Sequence, residues 1–344
     1  MANFLVHVGH PAHVHFFKYA IKKLTDSGNN VYVTAVDKEF TITLLEEYGI
    51  SYEIVGVHRR GILPKFISML RYDRRFVDII KKRKIDVAAA VGSPSIAQAG
   101  YFTKIPSVIF TDTEAATIGN KFMAPFAETI ATPECFRGEF GVRHLRYAGY
   151  QELSYLHPKY FVLDESVLAD NGLSVGEKFI VLRFVSRVSL HDRGDVGLSR
   201  EASYVVRKLG SYGRILVSSE RPLSGGLSES IIKEPSKIHS LLYYASLYIG
   251  ESPTMASEAA MLGTPAIYAQ GSFRGYTEEE EKKYGMVYNF HNPKDFRGKA
   301  IDKACEILEN DNSKREWGFK RDKMLSEKID VTEFIVNTLM SKIT

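Results

Sequence analysis

Short runs of β-branched and apolar residues alternate with longer amphipathic segments along most of the chain, and this alternation constrains the fold more than any other feature. In the first 160 residues the strand candidates lie at 4–8, 30–36, 52–55, 86–91, 106–110 and 128–131. Helix-like segments lie between them at 15–27, 38–48, 64–84 and 94–103. Strands separated by helices of this length form parallel βαβ units in a sheet covered on both faces.

A second series of the same kind begins after Asn171-Gly172. Its strand candidates are 178–183, 213–218, 247–250, 265–268 and 286–289, and its helix candidates are 199–209, 238–245, 254–262 and 293–309. The charge cluster 278–283 is expected to be a solvated helix turn. The sequence therefore predicts an α/β chain of two Rossmann-like domains facing a cleft, the first at 1–165 and the second at 166–325. Ligands of open α/β sheets bind outside the carboxyl ends of the strands, so the residues after each strand are the site candidates.

Composition limits the class of protein. The 344 residues are 44% hydrophobic and include only two cysteines, Cys135 and Cys305, which excludes a disulfide framework and fits a reducing compartment. No apolar run is long enough for a transmembrane helix, and the chain begins directly with a strand-like segment. A cytoplasmic location is expected. The net charge of +4 is too small to indicate a nucleic-acid partner.

The segment Ile249–Ile267 carries the most specific pattern. It combines a strand, a turn with hydroxyl residues, a helix beginning near Pro253-Thr254, and a glycine stop at Gly263. Backbone N–H groups and the helix dipole favour an anion at such a helix start, and phosphate is the usual one. Glu258 lies one turn deeper on the same face, where its carboxylate could accept from ribose hydroxyls. An ordinary capped helix is the alternative.

This segment resembles the donor-binding motif of GT-B glycosyltransferases and of the related non-hydrolysing UDP-N-acetylglucosamine 2-epimerases. Together with Leu182-Arg183, 218–222 and 238–242, it is similar to an uncharacterised, mainly archaeal family grouped with those enzymes, over nearly the whole chain. The resemblance implies a GT-B fold whose last segment, 326–344, crosses back to the first domain as a helix at 331–340. It also implies that Glu258 binds the nucleotide ribose and that two hydroxyl residues bind the diphosphate, Ser252 and Thr254. The epimerases carry Gly-Gly where this chain has Pro253-Thr254, so one expected phosphate donor is absent.

The second candidate site is Gly9-His-Pro-Ala-His-Val-His15, directly after the first strand. It is not a GxGxxG dinucleotide fingerprint. His13 resembles the histidine that follows the first glycine-rich loop in several GT-B transferases, which implies a general base acting on an acceptor hydroxyl. His10 is a candidate substrate contact near the same cleft. A zinc site and histidines that cap or pack the first helix are the alternatives.

Further candidates follow three other strands. Asp112 and Glu114 could orient His13, or could form an Asx turn and a helix cap. Arg183 could bind a diphosphate through its planar fork of donors, with a surface salt bridge as the alternative. In the GT-B picture this cation replaces a metal, so no metal and no cofactor are expected beyond the nucleotide-diphosphate sugar that serves as substrate, UDP-linked by resemblance. Ser219 and Glu220 are candidates to line the same site.

Residues 59–84 hold ten basic and two acidic residues, a local balance of +8. This segment is either a helix with one solvated face or a patch for anionic lipid at the inner membrane face. The leading hypothesis is a metal-independent glycosyltransferase acting on a lipid-linked or polyanionic acceptor. The alternatives are a UDP-GlcNAc 2-epimerase-like enzyme and a non-catalytic nucleotide-sugar sensor. The sequence leaves the oligomeric state open.

Overall fold

The computed structural model describes residues 1–57, 62–184, 202–219, 232 and 235–343, with the backbone alone at 57, 62–71, 219, 235 and 297. The chain divides into two compact units. Unit 1 comprises 1–160 together with 328–344, and unit 2 comprises 161–327.

Unit 1 is built on a sheet of parallel strands. They are β1 Asn3–Val8, β2 Asn30–Asp37, β3 Tyr52–Val57, β4 Val87–Val91, β5 Ser107–Phe110, β6 Thr129–Pro133 and β7 His144–Tyr147. Their order in the sheet is β3-β2-β1-β4-β5-β6-β7, seven strands in the described part. The chain runs outward from β1 to β3 and returns at β4, so the switch point where ligands of such sheets bind lies at the carboxyl ends of β1 and β4.

Helices cover both faces of this sheet. They are α1 Pro11–Asp26, α2 Thr41–Glu47, α3 Ile62–Arg83, α4 Pro94–Thr103, α5 Thr117–Met123 and α6 Leu153–Leu156. Proline occupies the first turn of α1 and of α4, where a missing N–H is tolerated. A core of buried side chains joins α3 and α4 to the central strands, among them Phe76 of α3, Ile96 of α4 and Ile109 of β5.

Unit 2 contains a second parallel sheet, in the order β12-β11-β10-β8-β9. Its strands are β8 Phe179–Phe184, β9 Arg214–Ser219, β10 Leu247–Gly250, β11 Ala266–Ala269 and β12 Val287–Phe290. Its helices are α7 Ser166–Asp170, α8 Ala202–Leu209, α9 Ile238–Tyr244, α10 Pro253–Met261, α11 Gly275–Glu279, α12 Ile301–Glu309 and α13 Ser313–Glu327. The single tryptophan, Trp317 on α13, is buried in this unit and donates from Nε1 to the Met286 carbonyl at 2.6 Å.

The chain ends in unit 1 with α14 Val331–Met340, which packs on α1 and α6. Asp330 caps this helix by accepting the Glu333 N–H at 3.0 Å, and it also accepts from the Tyr160 hydroxyl at 2.7 Å and the Lys159 ammonium at 3.0 Å. The predicted α/β fold and the return of the last helix to the first unit are confirmed.

The charge cluster at 278–283 differs from the prediction of a solvated turn. Glu280 opens a π-helical turn, Glu280–Tyr284, and is fully buried, with the Ser257 hydroxyl donating to its Oε1 at 2.5 Å. Consecutive residues on a helix are rotated by about 100°, so a run of four charges around the helix brings one of them to the core side. The expectation was wrong for Glu280.

Candidate functional site

At the carboxyl edge of the unit 2 sheet, Arg183 and Gly250 lie opposite each other on β8 and β10. A Cβ atom on Gly250 would lie 2.7 Å from Arg183 Cβ and 2.8 Å from Tyr248 Oη, closer than real contacts. Glycine is therefore required for this close approach. The half-buried guanidinium donates from Nη1 to Ser218 Oγ at 2.9 Å, which ties the ends of β8 and β9 together.

Tyr248 anchors the turn that follows β10. Its side chain is fully buried, and its hydroxyl donates to the Ser252 carbonyl at 3.0 Å. Burial raises the pKa of this phenol, and Arg183 works in the opposite direction. Tyr248 thus remains a neutral donor that fixes the turn beside Arg183.

Helix α10 begins at this turn. Ser252 is the N-cap, and its Oγ accepts from the Met255 N–H at 3.3 Å. Pro253 occupies the first helical position and has no N–H. Of the amides in the first turn, the Thr254 N–H therefore has neither an intrahelical acceptor nor the serine cap. Ser252 and Thr254 are both half-buried at this edge, close in sequence to the Gly250 contact with Arg183.

Glu258 lies on the inner side of α10. Its Oε1 is 2.9 Å from His239 Nε2 on α9, and the two side chains are only 7% and 8% exposed. Sequence reasoning predicted a carboxylate reaching for ribose and assigned no role to His239. The signal was a lone histidine in the largely apolar stretch 238–242, and its partner on a different helix could not be inferred from that stretch.

In unit 1, the two candidate histidines after β1 have different partners. His10 is the N-cap of α1: its Nδ1 accepts from the Ala12 N–H at 3.2 Å, and its Nε2 lies 3.5 Å from Glu39 Oε2. The His10 and His13 rings are 5.8 Å apart. Of the two ring nitrogens of His10, Nδ1 therefore caps the first helix, as in the capping alternative, and Nε2 faces Glu39.

His13 accepts the Gly9 N–H at its Nδ1, over 3.3 Å. Burial lowers the pKa of His13 well below its ordinary value, and His10, His7 and Lys38 lower it further. The imidazole is therefore neutral, and because Nδ1 accepts, the hydrogen-bond network assigns its proton to Nε2. In this tautomer Nε2 is a donor, whereas a general base at that atom requires the proton on Nδ1.

The third histidine, His15, is packed rather than presented at the edge. It is buried, its Nδ1 lies 3.2 Å from Tyr48 Oη, and its ring lies 5.3 Å from that of Tyr155. Among the described residues, no group of three His, Cys, Asp or Glu side chains has an arrangement that could hold a metal ion.

Asp112 and Glu114 follow β5. The Thr113 hydroxyl donates to Asp112 Oδ1 at 2.8 Å, and the Arg137 N–H donates to Glu114 Oε1 at 3.2 Å. Neither carboxylate caps α5, whose N-cap is Ala116. Because β4 lies between β1 and β5, the carboxyl ends of β1 and β5 are about 10 Å apart; His13 follows the first of these strands and the two carboxylates follow the second.

For two of the predicted site residues the structure describes no side chain. Ser219 ends β9 and only its backbone is described, while Glu220 lies outside the described residues. The structure therefore brings together Arg183, Ser252 and Thr254 at one edge of unit 2, with Glu258 behind them, and it holds His10 and His13 at one edge of unit 1.

The fold is shared with solved sugar-modifying enzymes. UDP-GlcNAc 2-epimerase from Neisseria meningitidis bound to UDP-GlcNAc is 12% identical with a TM-score of 0.71, and the alignment covers 99% of this chain and 100% of that one. The UDP-GlcNAc 2-epimerase from Methanocaldococcus jannaschii is 14% identical with a TM-score of 0.65, covering 98% and 99%. Spinosyn rhamnosyltransferase complexed with thymidine diphosphate is 13% identical with a TM-score of 0.65, covering 99% and 100%. The two sheets and their connections are thus those of the GT-B fold.

An uncharacterized protein of Methanocaldococcus jannaschii is 25% identical over 265 residues, which cover 74% of this chain and 78% of that protein. A family model described as "Protein of unknown function (DUF354)" matches residues 3–273. Because this match spans well over half of the sequence, the chain belongs to the DUF354 family.

Proposed function

We propose that the protein is a glycosyltransferase that uses a nucleotide-diphosphate sugar, UDP-linked by preference, without a metal ion. The observation that carries this proposal is the convergence of Arg183 and the first turn of α10 at one edge of the unit 2 sheet, enforced by the Gly250 contact. A guanidinium and a helix N-terminus are complementary to a diphosphate.

In this proposal, unit 2 holds the donor. Arg183 forms charge-assisted hydrogen bonds to the diphosphate, and the N–H and hydroxyl of Thr254 contact the second phosphate. These contacts strengthen as the sugar–phosphate bond breaks and negative charge accumulates on the departing nucleoside diphosphate. Glu258 accepts from the ribose hydroxyls, with one carboxylate oxygen fixed by His239 at 2.9 Å.

Unit 1 is proposed to serve the acceptor. His13 takes the proton of the acceptor hydroxyl at Nε2 while the hydroxyl oxygen attacks the anomeric carbon. This step needs the tautomer with the proton on Nδ1, so the Gly9 contact has to be exchanged for a hydrogen-bond acceptor, and Asp112 or Glu114 can supply one only by crossing the separation of about 10 Å between the ends of β1 and β5. The pKa of His13, held well below its ordinary value, keeps the imidazole unprotonated at neutral pH.

The proposal is tested by thermal unfolding with a panel of nucleotide sugars. A bound donor at 100 times its dissociation constant stabilises the fold by about 2.7 kcal/mol, a clear shift in melting temperature. Arg183→Gln should abolish the shift, while Lys208→Gln, a change of an exposed residue on α8, should leave it intact. The absence of a shift with every nucleotide sugar would contradict donor binding.

Turnover with the identified donor then tests His13. His13→Ala should abolish transfer and preserve the donor-induced thermal shift, because His13 belongs to the acceptor side. Unchanged transfer would eliminate the base assignment.

A UDP-GlcNAc 2-epimerase-like activity is the second candidate, and the tautomer of His13 favours it. An Nε2–H donor suits an elimination and re-addition in which carboxylates such as Asp112 and Glu114 move the sugar proton. Incubation with UDP-GlcNAc alone distinguishes the two, because an epimerase converts it without an acceptor.

A further inference from the structure

The amino edge of the unit 1 sheet carries exposed aromatic and aliphatic side chains beside cations. This basic–aromatic face consists of Lys84, Tyr101, Phe102, Lys104, Val142 and Arg143. It lies at the end of the sheet opposite to His10 and His13, which follow the carboxyl end of β1.

Sheet polarity brings these residues together. Helices of βαβ units run antiparallel to their strands, so α3 and α4, which pack against each other, both end at the amino edge. Lys84 and Lys104 are the residues after these helices, and both adopt left-handed backbone conformations, with φ of 48° and 60°. Lys84 precedes β4 and Lys104 precedes β5. Because β4 and β5 are neighbouring strands, the two cations occupy equivalent positions in successive helix–strand connections.

The exposed rings are held in place. Tyr101 and Phe102 are 57% and 65% exposed, and their rings lie 5.5 Å and 6.2 Å from that of Phe126. Beside them is a shallow cleft of about 300 Å³, bordered by Lys104 and Arg143. Next to Arg143, Val142 is fully exposed.

The charge of this face is positive. The last turn of α3 adds three exposed cations, at 81–83, next to Lys84. The acidic residue at the cleft, Glu128, is paired with Lys342 at 3.0 Å. Two copies of such a face would repel each other, which disfavours a self-association through it. A nucleic acid would use the cations, but it gives no reason for exposed Val142 and Phe102 side chains beside them.

We propose that the basic–aromatic face docks on an anionic lipid bilayer. Tyr101, Phe102 and Val142 enter the interfacial layer, where amphipathic and apolar side chains are favoured. The exposed Lys84 and Lys104 meet the headgroup phosphates, and the half-buried Arg143, which donates to the Ala124 and Pro125 carbonyls, adds positive charge beside them. The binding is peripheral, and no described helix has the length and apolar character needed to cross a bilayer.

The experiment is co-sedimentation of the full chain with vesicles of phosphatidylcholine alone and with 30% phosphatidylglycerol, at low and high salt. The protein should sediment with the anionic vesicles and be released by salt. A cation near an anionic surface contributes about 1 kcal/mol, or about five-fold, so Lys84→Asn/Lys104→Asn should weaken binding about 25-fold. Asparagine tolerates the left-handed backbone of both positions.

Tyr101→Ser/Phe102→Ser should weaken binding by about ten-fold while leaving the salt dependence in place. The matched controls are Phe319→Ser, an aromatic residue of unit 2 that is 63% exposed, and Lys208→Asn; both should change binding less than about two-fold. Circular dichroism establishes that each variant is folded.

Three outcomes would overturn the proposal. The first is equal binding to neutral and anionic vesicles, or no binding at low salt. The second is a Tyr101→Ser/Phe102→Ser variant whose oligomeric state, measured by sedimentation velocity, changes while its vesicle binding does not. The third is salt-dependent binding to an RNA homopolymer that exceeds vesicle binding and does not respond to the aromatic substitutions.

Discussion

The buried pair His239–Glu258 provides a quantitative test of the unit 2 site. Both side chains are less than 10% exposed and their polar atoms are 2.9 Å apart, so removing one partner takes a short, buried hydrogen bond from the other. Breaking a buried pair in this way costs about 3–5 kcal/mol. We therefore expect His239→Leu and Glu258→Met each to lower the free energy of unfolding by about that amount.

The double variant His239→Leu/Glu258→Met should lose less than the sum of the single losses, because it removes both polar groups and leaves an apolar contact between α9 and α10. Urea unfolding followed by tryptophan fluorescence measures these losses within unit 2, since the single tryptophan, Trp317, is buried there. Lys178→Met, which removes the exposed ion pair with Asp311 in the same unit, is the control and should cost about 0.5 kcal/mol or less. Single losses that add within about 0.5 kcal/mol in the double variant would refute the direct contact.

Three further predictions follow from the described contacts. Gly250→Ala should lower the free energy of unfolding by about 1–3 kcal/mol and weaken the donor-induced thermal shift, because the added Cβ displaces Arg183. The control is Gly318→Ala, where a Cβ meets open space and unit 2 should not be destabilised. Urea unfolding measures the stability, and the nucleotide-sugar panel measures the thermal shift. Burial lowers the pKa of His7 to about 4. As the pH falls from 7 to 5, the unfolded chain therefore takes up a proton that the folded chain excludes, and the free energy of unfolding should fall by about 2 kcal/mol. Urea titrations at the two pH values measure this loss, which should be absent in His7→Gln. Asp330→Ala removes the cap of α14 and should lower the unfolding free energy of unit 1 by about 1–3 kcal/mol in far-ultraviolet circular dichroism; an unchanged midpoint would contradict the tethering of α14 through this carboxylate.

The strands of unit 2 could be predicted from the sequence because buried parallel strands are continuous apolar runs. The edge strand β7, His144–Tyr147, was missed, since it is short and half of its residues are exposed. Helix α13 was also missed: Ser313–Glu327 is polar nearly all round, and little more than Trp317 and Met324 faces the core. A period of 3.6 residues is weak in such a helix.

The candidate site was predictable only as far as single strands and helices determine it. The capped start of α10 follows from Ser252 and Pro253, which are adjacent in sequence. The partnership of His239 with Glu258 depends on how two helices pack, and the tautomer of His13 depends on the backbone amide of Gly9. Tertiary contacts of this kind leave no periodic signal in the sequence.

The two lysines at the amino edge of the unit 1 sheet also stabilise the helices that they follow, and this second role bears on the lipid proposal. Lys84 and Lys104 lie at the negative ends of the α3 and α4 dipoles, where a positive charge contributes about 0.3–1 kcal/mol to folding. That role explains the lysines without any lipid, but it does not explain why Tyr101 and Phe102 stay exposed beside them. If the dipole were their whole role, the paired asparagine substitutions would lower the melting temperature and leave vesicle binding unchanged. The aromatic side chains therefore decide between the two explanations, and their substitution is the sharper test.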